Sequence, residues 1–336
     1  MRRQSLSKQK RIAAAKRGWK RFLKERRRRF IFHAHLSRGP KRGNSYKTKS
    51  SAKWKEIQCP ENFSLLMNEE SVISFMSQVR NLRVDHCDHL KIDLSRVIEM
   101  DNLSIMMLLS NINHASQRGI FVCGNNPENQ RANDFFEHSG FLSHMTRINK
   151  KAPTISTSDG LIVNLGRDYY RSENADNVIT QVINRISGSK KLYQRLNGIV
   201  GEMGGNAIQY AYNERKHYLF GSFTEGNKMS FVFADSGYGI LNTLKRSFGR
   251  WMADLISAKG PVEVLRGAFD EKYGSRTGED NRNRGLPFIK QTFDEGLITN
   301  LMVISNNVLL DFEKPTNSRR LDHNYSGTVY FWQIDN

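Results

Sequence analysis

Nineteen of the first 50 residues are Lys or Arg, and only one of the 50, Glu25, is acidic. A segment so charged cannot bury enough apolar surface to build a core. Folding therefore falls to the other 286 residues, which carry 33 basic and 32 acidic side chains and are close to neutral. The formal net charge of +19 belongs almost entirely to an appendage. The body is long enough for roughly two domains, and its apolar content excludes wholesale disorder. Three cysteines, Cys59, Cys87 and Cys123, are an odd count without metal-ligand spacing, which argues for a reducing compartment and against a disulfide framework. The run His86-Cys87-Asp88-His89 reads as a surface turn, because four adjacent side chains cannot all aim at one ion. No apolar run approaches the ~20 residues of a membrane helix. The apolar stretch Phe30-Ile31-Phe32 is broken by His33 and His35, so no export signal is expected and the expected location is cytoplasmic.

Within the basic segment, Ile12, Ala15, Trp19, Phe22 and Leu23 fall on one face of an expected helix from Lys8 to Phe30. The remaining positions are largely basic and end in Arg26-Arg27-Arg28-Arg29. Neutralising phosphates would relieve this self-repulsion and release counterions, so nucleic acid is the natural partner. Anionic lipid is a second candidate, given the apolar stripe, and a solvated tail is the third. Residues 37–55, rich in Ser, Lys and Gly, read as a flexible linker, so that 1–55 forms tail and linker together.

Residues 56–150 alternate strand and helix patterns, which implies a small α/β layer. Helices are expected over Glu70 to Leu82 and Leu103 to Ile112, the second capped by Asp101 or Asn102. Strands are expected at Leu90 to Leu94 and Ile120 to Gly124, and Pro127 opens a last helix through Phe136 that Gly140 stops. The segments IDLSRVIEMDNLSIMMLL, IFVCGN and FFEHSGF resemble a STAS domain, the module of anti-anti-sigma factors and transporter tails. The resemblance implies a protein-docking role. In signalling members a phosphorylated Ser or Thr follows the Asp that starts the helix; here Asn102 and Leu103 follow Asp101, and Ser104 comes only after them.

A second domain is expected over 158–336. In LYQRLNGIVGEMGGNAIQYAYN, Leu196, Ile199, Met203, Ala207 and Tyr210 form an apolar helical stripe. Gly198, Gly201, Gly204 and Gly205 lie in the same helix, each costing about 0.5–1 kcal/mol relative to Ala. Close packing or close ligand approach is the usual reason. Glu202 and Asn206 leave one face of this helix, four residues apart, and can handle a metal ion and a water together. A strand then runs into Asp235-Ser236-Gly237-Tyr238-Gly239. A carboxylate at a strand end accepts from the exocyclic amine of a purine, and the glycines admit the ring. Residues from Gly249 to Asn283 read as a long polar lid, and Gly285-Leu286-Pro287 opens a helix whose N–H groups suit a phosphate. Strands near 299–305, 308–312 and 329–334 close the chain.

This series resembles the GHKL superfamily of Bergerat-fold ATPases, which includes histidine kinases and anti-sigma serine kinases. By that resemblance Asn206 holds Mg²⁺ and Glu202 is the general base, while Asp235, Gly237 and Gly239 form the adenine box. Arg284, Gly285 and Leu286 form the glycine box, with Asn283 in place of its first glycine, and Thr328 is the late Thr near adenine. Ser275, Arg276 and Lys290 are further phosphate candidates. The implied fold class is α/β: a STAS-like domain plus a GHKL α/β sandwich, a mixed sheet with helices on one face, preceded by the basic tail. The implied cofactors are ATP and Mg²⁺. The expected function is an intracellular ATP-binding regulator whose lid controls contacts with a protein partner. Slow ATP hydrolysis and Ser/Thr phosphotransfer are both chemically open. No His stands in a phosphoacceptor pattern, which argues against a conventional sensor kinase. The alternative is a nucleic-acid-associated interaction protein with a degenerate ATPase fold.

Overall fold

A computed structural model describes residues 31–34, 53–147, 162–167, 172–185, 190–209, 217–225, 227–273 and 285–335. The fold is α/β, as the alternating patterns imply. The first unit runs β1 (Ile31–Ala34), β2 (Trp54–Gln58), β3 (Asn62–Phe63), α1 (Glu69–Arg80), β4 (His89–Asp93), β5 (Glu99–Met100), α2 (Asn102–Gln117), β6 (Phe121–Asn125), α3 (Gln130–His138) and α4 (Phe141–Arg147). Its sheet has the order β1-β6-β4-β2, with β2, β4 and β6 parallel and β1 antiparallel to β6. Within the expected tail and linker of 1–55, Ile31 to Ala34 form strand β1 and pair with Asn125 to Val122. Helix α3 starts at Gln130, capped by Asn129, whose side chain accepts from Ala132 N at 3.1 Å, and not at Pro127. The expected helix over Lys8 to Phe30, with Arg26 to Arg29, lies outside the described residues.

The second unit contains β7 (Ile162–Arg167), α5 (Ser172–Arg185), α6 (Lys190–Gln209), β8 (His217–Glu225), β9 (Lys228–Asp235), α7 (Ile240–Phe248), α8 (Arg250–Lys259), α9 (Pro261–Phe269), α10 (Gly285–Asp294), β10 (Thr299–Asp311) and β11 (Arg319–Asp335). The five strands have the order β10-β11-β9-β8-β7. Every pairing among them is antiparallel, so mixed pairing is confined to the first sheet. Short links between β8 and β9 and between β10 and β11 dictate this, since only antiparallel neighbours can be joined so briefly. Two further expectations give way. Residues from Gly249 to Asn283 are not one polar loop: α8 and α9 occupy 250–269, because Met252, Val264, Leu265 and Phe269 recur at helical spacing and are buried. The strands expected at 299–305 and 308–312 are one strand, bent by a bulge at Asn306 with φ 57°.

The sheet faces alternate along each strand. Phe220, Phe231, Phe233, Tyr330 and Trp332 point to one side, where α5, α6, α9 and α10 pack. Phe231 and Trp332 stack there with ring centroids 5.3 Å apart. Leu219, Val232, Ala234, Val329 and Phe331 point to the other side and share one core with Phe75, Met76, Met107 and Leu108 of α1 and α2. The helices of the second unit keep to one face of its sheet, as expected. The first unit covers the second face, because strands this apolar on both sides need two partners.

Candidate functional site

Two constellations form on the helix-covered side of the five-stranded sheet. The first joins α6 to the start of α10. Glu202 is exposed and Asn206 half-buried on α6, and Gly285 opens α10 directly against them. A Cβ placed on Gly285 would lie 2.6 Å from Glu202 Oε2 and 3.4 Å from Asn206 Nδ2. A side chain there would push the exposed, flexible Glu202 carboxylate out of its present position. Gly198 explains how the two helices approach so closely, since a Cβ there would meet the Phe288 ring of α10 at 2.7 Å. At Gly201 and Gly205 a Cβ would meet nothing within 4 Å, so packing does not account for these two. Leu286 is half-buried against the same core.

The second constellation sits at the end of β9. Asp235, Thr328 and Ser305 occupy neighbouring positions on β9, β11 and β10. The Asp235 carboxylate is 7% exposed, and its Oδ1 accepts from Gly237 N at 2.7 Å and Thr328 N at 3.2 Å. The Thr328 hydroxyl lies 3.3 Å from Ser305 Oγ. Burial pushes the carboxyl above its usual range, and the backbone N–H groups and the Arg80 charge oppose that shift. Both N–H bonds fall on Oδ1, and an ionised carboxylate has about four acceptor sites, so acceptor capacity is left for a ligand amine. Gly239 has φ +78° and no room for a side chain, since a Cβ would lie 2.5 Å from Asn306 Oδ1.

Two contributors escaped the sequence reading. Asn306, at the β10 bulge, accepts from Leu241 N at 3.0 Å and donates from Nδ2 to Tyr238 O at 2.8 Å. It thereby caps α7 and fixes the loop carrying Gly237 and Gly239. The Asn-Asn pair at 306–307 inside an apolar strand was the available signal. Arg80 comes from the first unit and donates from Nη2 to Asp235 O at 2.6 Å; nothing in local sequence pointed to it.

Other expected residues fall elsewhere. Lys290 pairs with Asp294 at 2.6 Å and stands 3.9 Å from Asp270, so carboxylates occupy it. Arg284, Asn283, Ser275 and Arg276 lie outside the described residues. Ser104 is fully buried; its Oγ accepts from Leu65 N at 2.8 Å and its own N–H donates to Asp101 Oδ1 at 2.6 Å. That hydroxyl is a local hydrogen-bonder inside the core. Among the described residues no group of three His, Cys, Asp or Glu side chains is arranged to hold a metal ion, and the three cysteines are free and buried. No described helix is long and apolar enough to cross a membrane.

No family model matches the chain, and no curated protein matches it. Among solved structures, it is similar to a mycobacterial sensor histidine kinase, MprB, over 52% of this chain and 97% of that one. The identity is 14% and the TM-score 0.27, a weak likeness that fixes neither family nor activity.

Proposed function

We propose that the chain is an ATP-binding regulatory protein of the GHKL type, with its STAS-like unit serving a protein partner. The observation that carries this reading is Gly285 seated against both Glu202 and Asn206, residues more than 75 positions away in sequence. An exposed carboxylate, a half-buried carboxamide and the first turn of a helix converge there, a donor set that suits a magnesium–phosphate group. Asp235, with Gly237 and Thr328, supplies the purine end.

In this reading the Asn206 amide oxygen holds Mg²⁺, which when bound neutralises phosphate charge. Glu202 takes the proton from an attacking water or hydroxyl group. Asp235 accepts from the adenine amine, Gly237 leaves room for the ring, and Gly239 lets Asn306 hold the loop that carries it. Backbone N–H groups at Gly285 and Leu286 face the phosphates. Exposed Leu66, Met67 and Ile98 on the first unit give a partner an apolar surface.

Direct titration with ATP tests the reading. Wild type should bind in the micromolar range, and Asp235→Ala should bind far more weakly. Equal, millimolar-or-weaker affinity in both would sink it. The charge of residues 1–50 favours a second, separate activity toward nucleic acid. Deleting 1–50 should flatten the salt dependence of DNA or RNA binding, and an unchanged slope removes that activity.

A further inference from the structure

Arg80, the last residue of α1, is 2% exposed although it belongs to the first unit. Its guanidinium reaches through the shared core to three acceptors. It donates to Asp235 O at 2.6 Å, to Tyr325 Oη at 3.1 Å and to Asn111 Oδ1 at 3.2 Å. It also lies over the Tyr325 ring, 4.8 Å from the centroid. Asn111 is turned toward it by its own amide, which donates to Met107 O at 2.7 Å. The end of α1 is pinned in turn by Arg118, which donates to Arg80 O at 3.1 Å. Further along, α1 lies on β11 through a Glu69–Arg319 ion pair, the bond from Asp322 N to Glu70, and the Ser77 hydroxyl on Asn324 O.

Burying a guanidinium costs several kcal/mol unless it is well paired. None of its three acceptors is a carboxylate oxygen; it holds the backbone carbonyl of Asp235, and its charge favours the ionised form of that residue's carboxylate. Gly327 shows how tightly this is built: a Cβ there would lie 2.2 Å from Asp235 O and 3.0 Å from Arg80 Nη2. A solely structural bond at this point needs no charge, since a neutral donor would satisfy the carbonyl.

We infer that Arg80 is a positioning residue for nucleobase recognition, fixing the end of β9 and keeping Asp235 an acceptor for an exocyclic amine. The first unit is thus part of the purine site, and α1 is the element through which a partner on that unit would alter nucleotide selection. The inference rests on the ATP-binding reading and deepens it.

The test is the ratio of affinities for ATP and inosine triphosphate, which carries a carbonyl oxygen in place of the adenine amine. It uses the full chain, with folding checked by thermal denaturation. Wild type should prefer ATP. Arg80→Met should reduce that preference roughly tenfold or more, chiefly by weakening ATP. Arg80→Lys, which keeps the charge, should restore part of it, and Tyr325→Phe should shift it slightly in the same direction as Arg80→Met. A folded Arg80→Met that weakens both nucleotides equally, or neither, overturns the role of Arg80 while leaving ATP binding intact. Wild type that fails to bind ATP removes the reading and the inference together. Should Arg80→Met not fold, Arg80→Lys and Tyr325→Phe decide by the same ratio, and a ratio unchanged in both overturns the inference.

Discussion

Asp235 is almost wholly buried, bonded by two backbone N–H groups and backed by an arginine from another unit, whereas Glu202 is exposed beside a half-buried Asn206 and a glycine. The base end of the candidate site is finished before any ligand arrives, and its geometry is held from both faces of the sheet. The proposed phosphate end is open, with Gly285 at the start of α10 facing Glu202 and Asn206 and with space around Gly201 and Gly205 on α6. Preorganisation at one end provides selectivity, and openness at the other leaves room for charge to be brought in by the ligand.

The largest effect should come from Gly327→Ala, since φ +117° and the approach to Asp235 O both exclude a side chain. A loss of about 3 kcal/mol in urea unfolding is expected, together with loss of ATP binding. A well-folded Gly327→Ala would show that the base end is looser than its distances imply.

Next is Asp235→Ala, which should weaken ATP by about 100-fold, as removal of a charged acceptor does. Calorimetric titration reads it directly. The same carboxylate sets the pH response. Its pKa is raised, so the folded state holds this proton more tightly than the unfolded chain. This one group therefore favours the fold at acid pH and penalises it once pH rises past its unfolded value toward the folded one. The ionised form is the stronger acceptor for an amine, so ATP affinity should fall as pH drops through the raised pKa, while an exposed Asp is still charged. The fall should shift in Arg80→Met and vanish in Asp235→Ala.

At the open end, Asn206→Ala should lower affinity about tenfold in the presence of Mg²⁺. It should change nothing with a chelator present, and stability should move by less than about 0.5 kcal/mol. Equal losses with and without the metal would remove Asn206 from the ion. Smallest of all, Gly201→Ala and Gly205→Ala should stabilise α6 by about 0.5–1 kcal/mol each, because the space is open and the helix gains propensity. If ligand approach is why these glycines are there, the same variants should bind ATP more weakly, the usual opposition of stability and function. Stabilisation without any loss of affinity would separate them from the site.

Much of this was readable in the chain. Helix α6, the Glu202–Asn206 spacing and the strand ending at Asp235 follow from local periodicity, because each depends on residues no more than a few positions apart. Helix α8 escaped because its polar positions outweigh a narrow apolar stripe, and α9, although largely apolar, is only nine residues long between Gly260 and a charged segment. Strand β1 escaped because four residues beside a basic run carry too little pattern to separate strand from tail.

What the sequence by itself determined was the alternation of elements, the neutral body behind a basic appendage, and the side-chain types of the candidate site. Only the tertiary structure decided that Gly285 sits on Glu202, that Asn306 caps α7, and that Arg80 reaches Asp235. Those contacts join residues from 65 to 155 positions apart. No local rule encodes such pairings. They exist because a sheet apolar on both faces must be covered twice, and covering the second face carried the first unit's arginine to the end of β9.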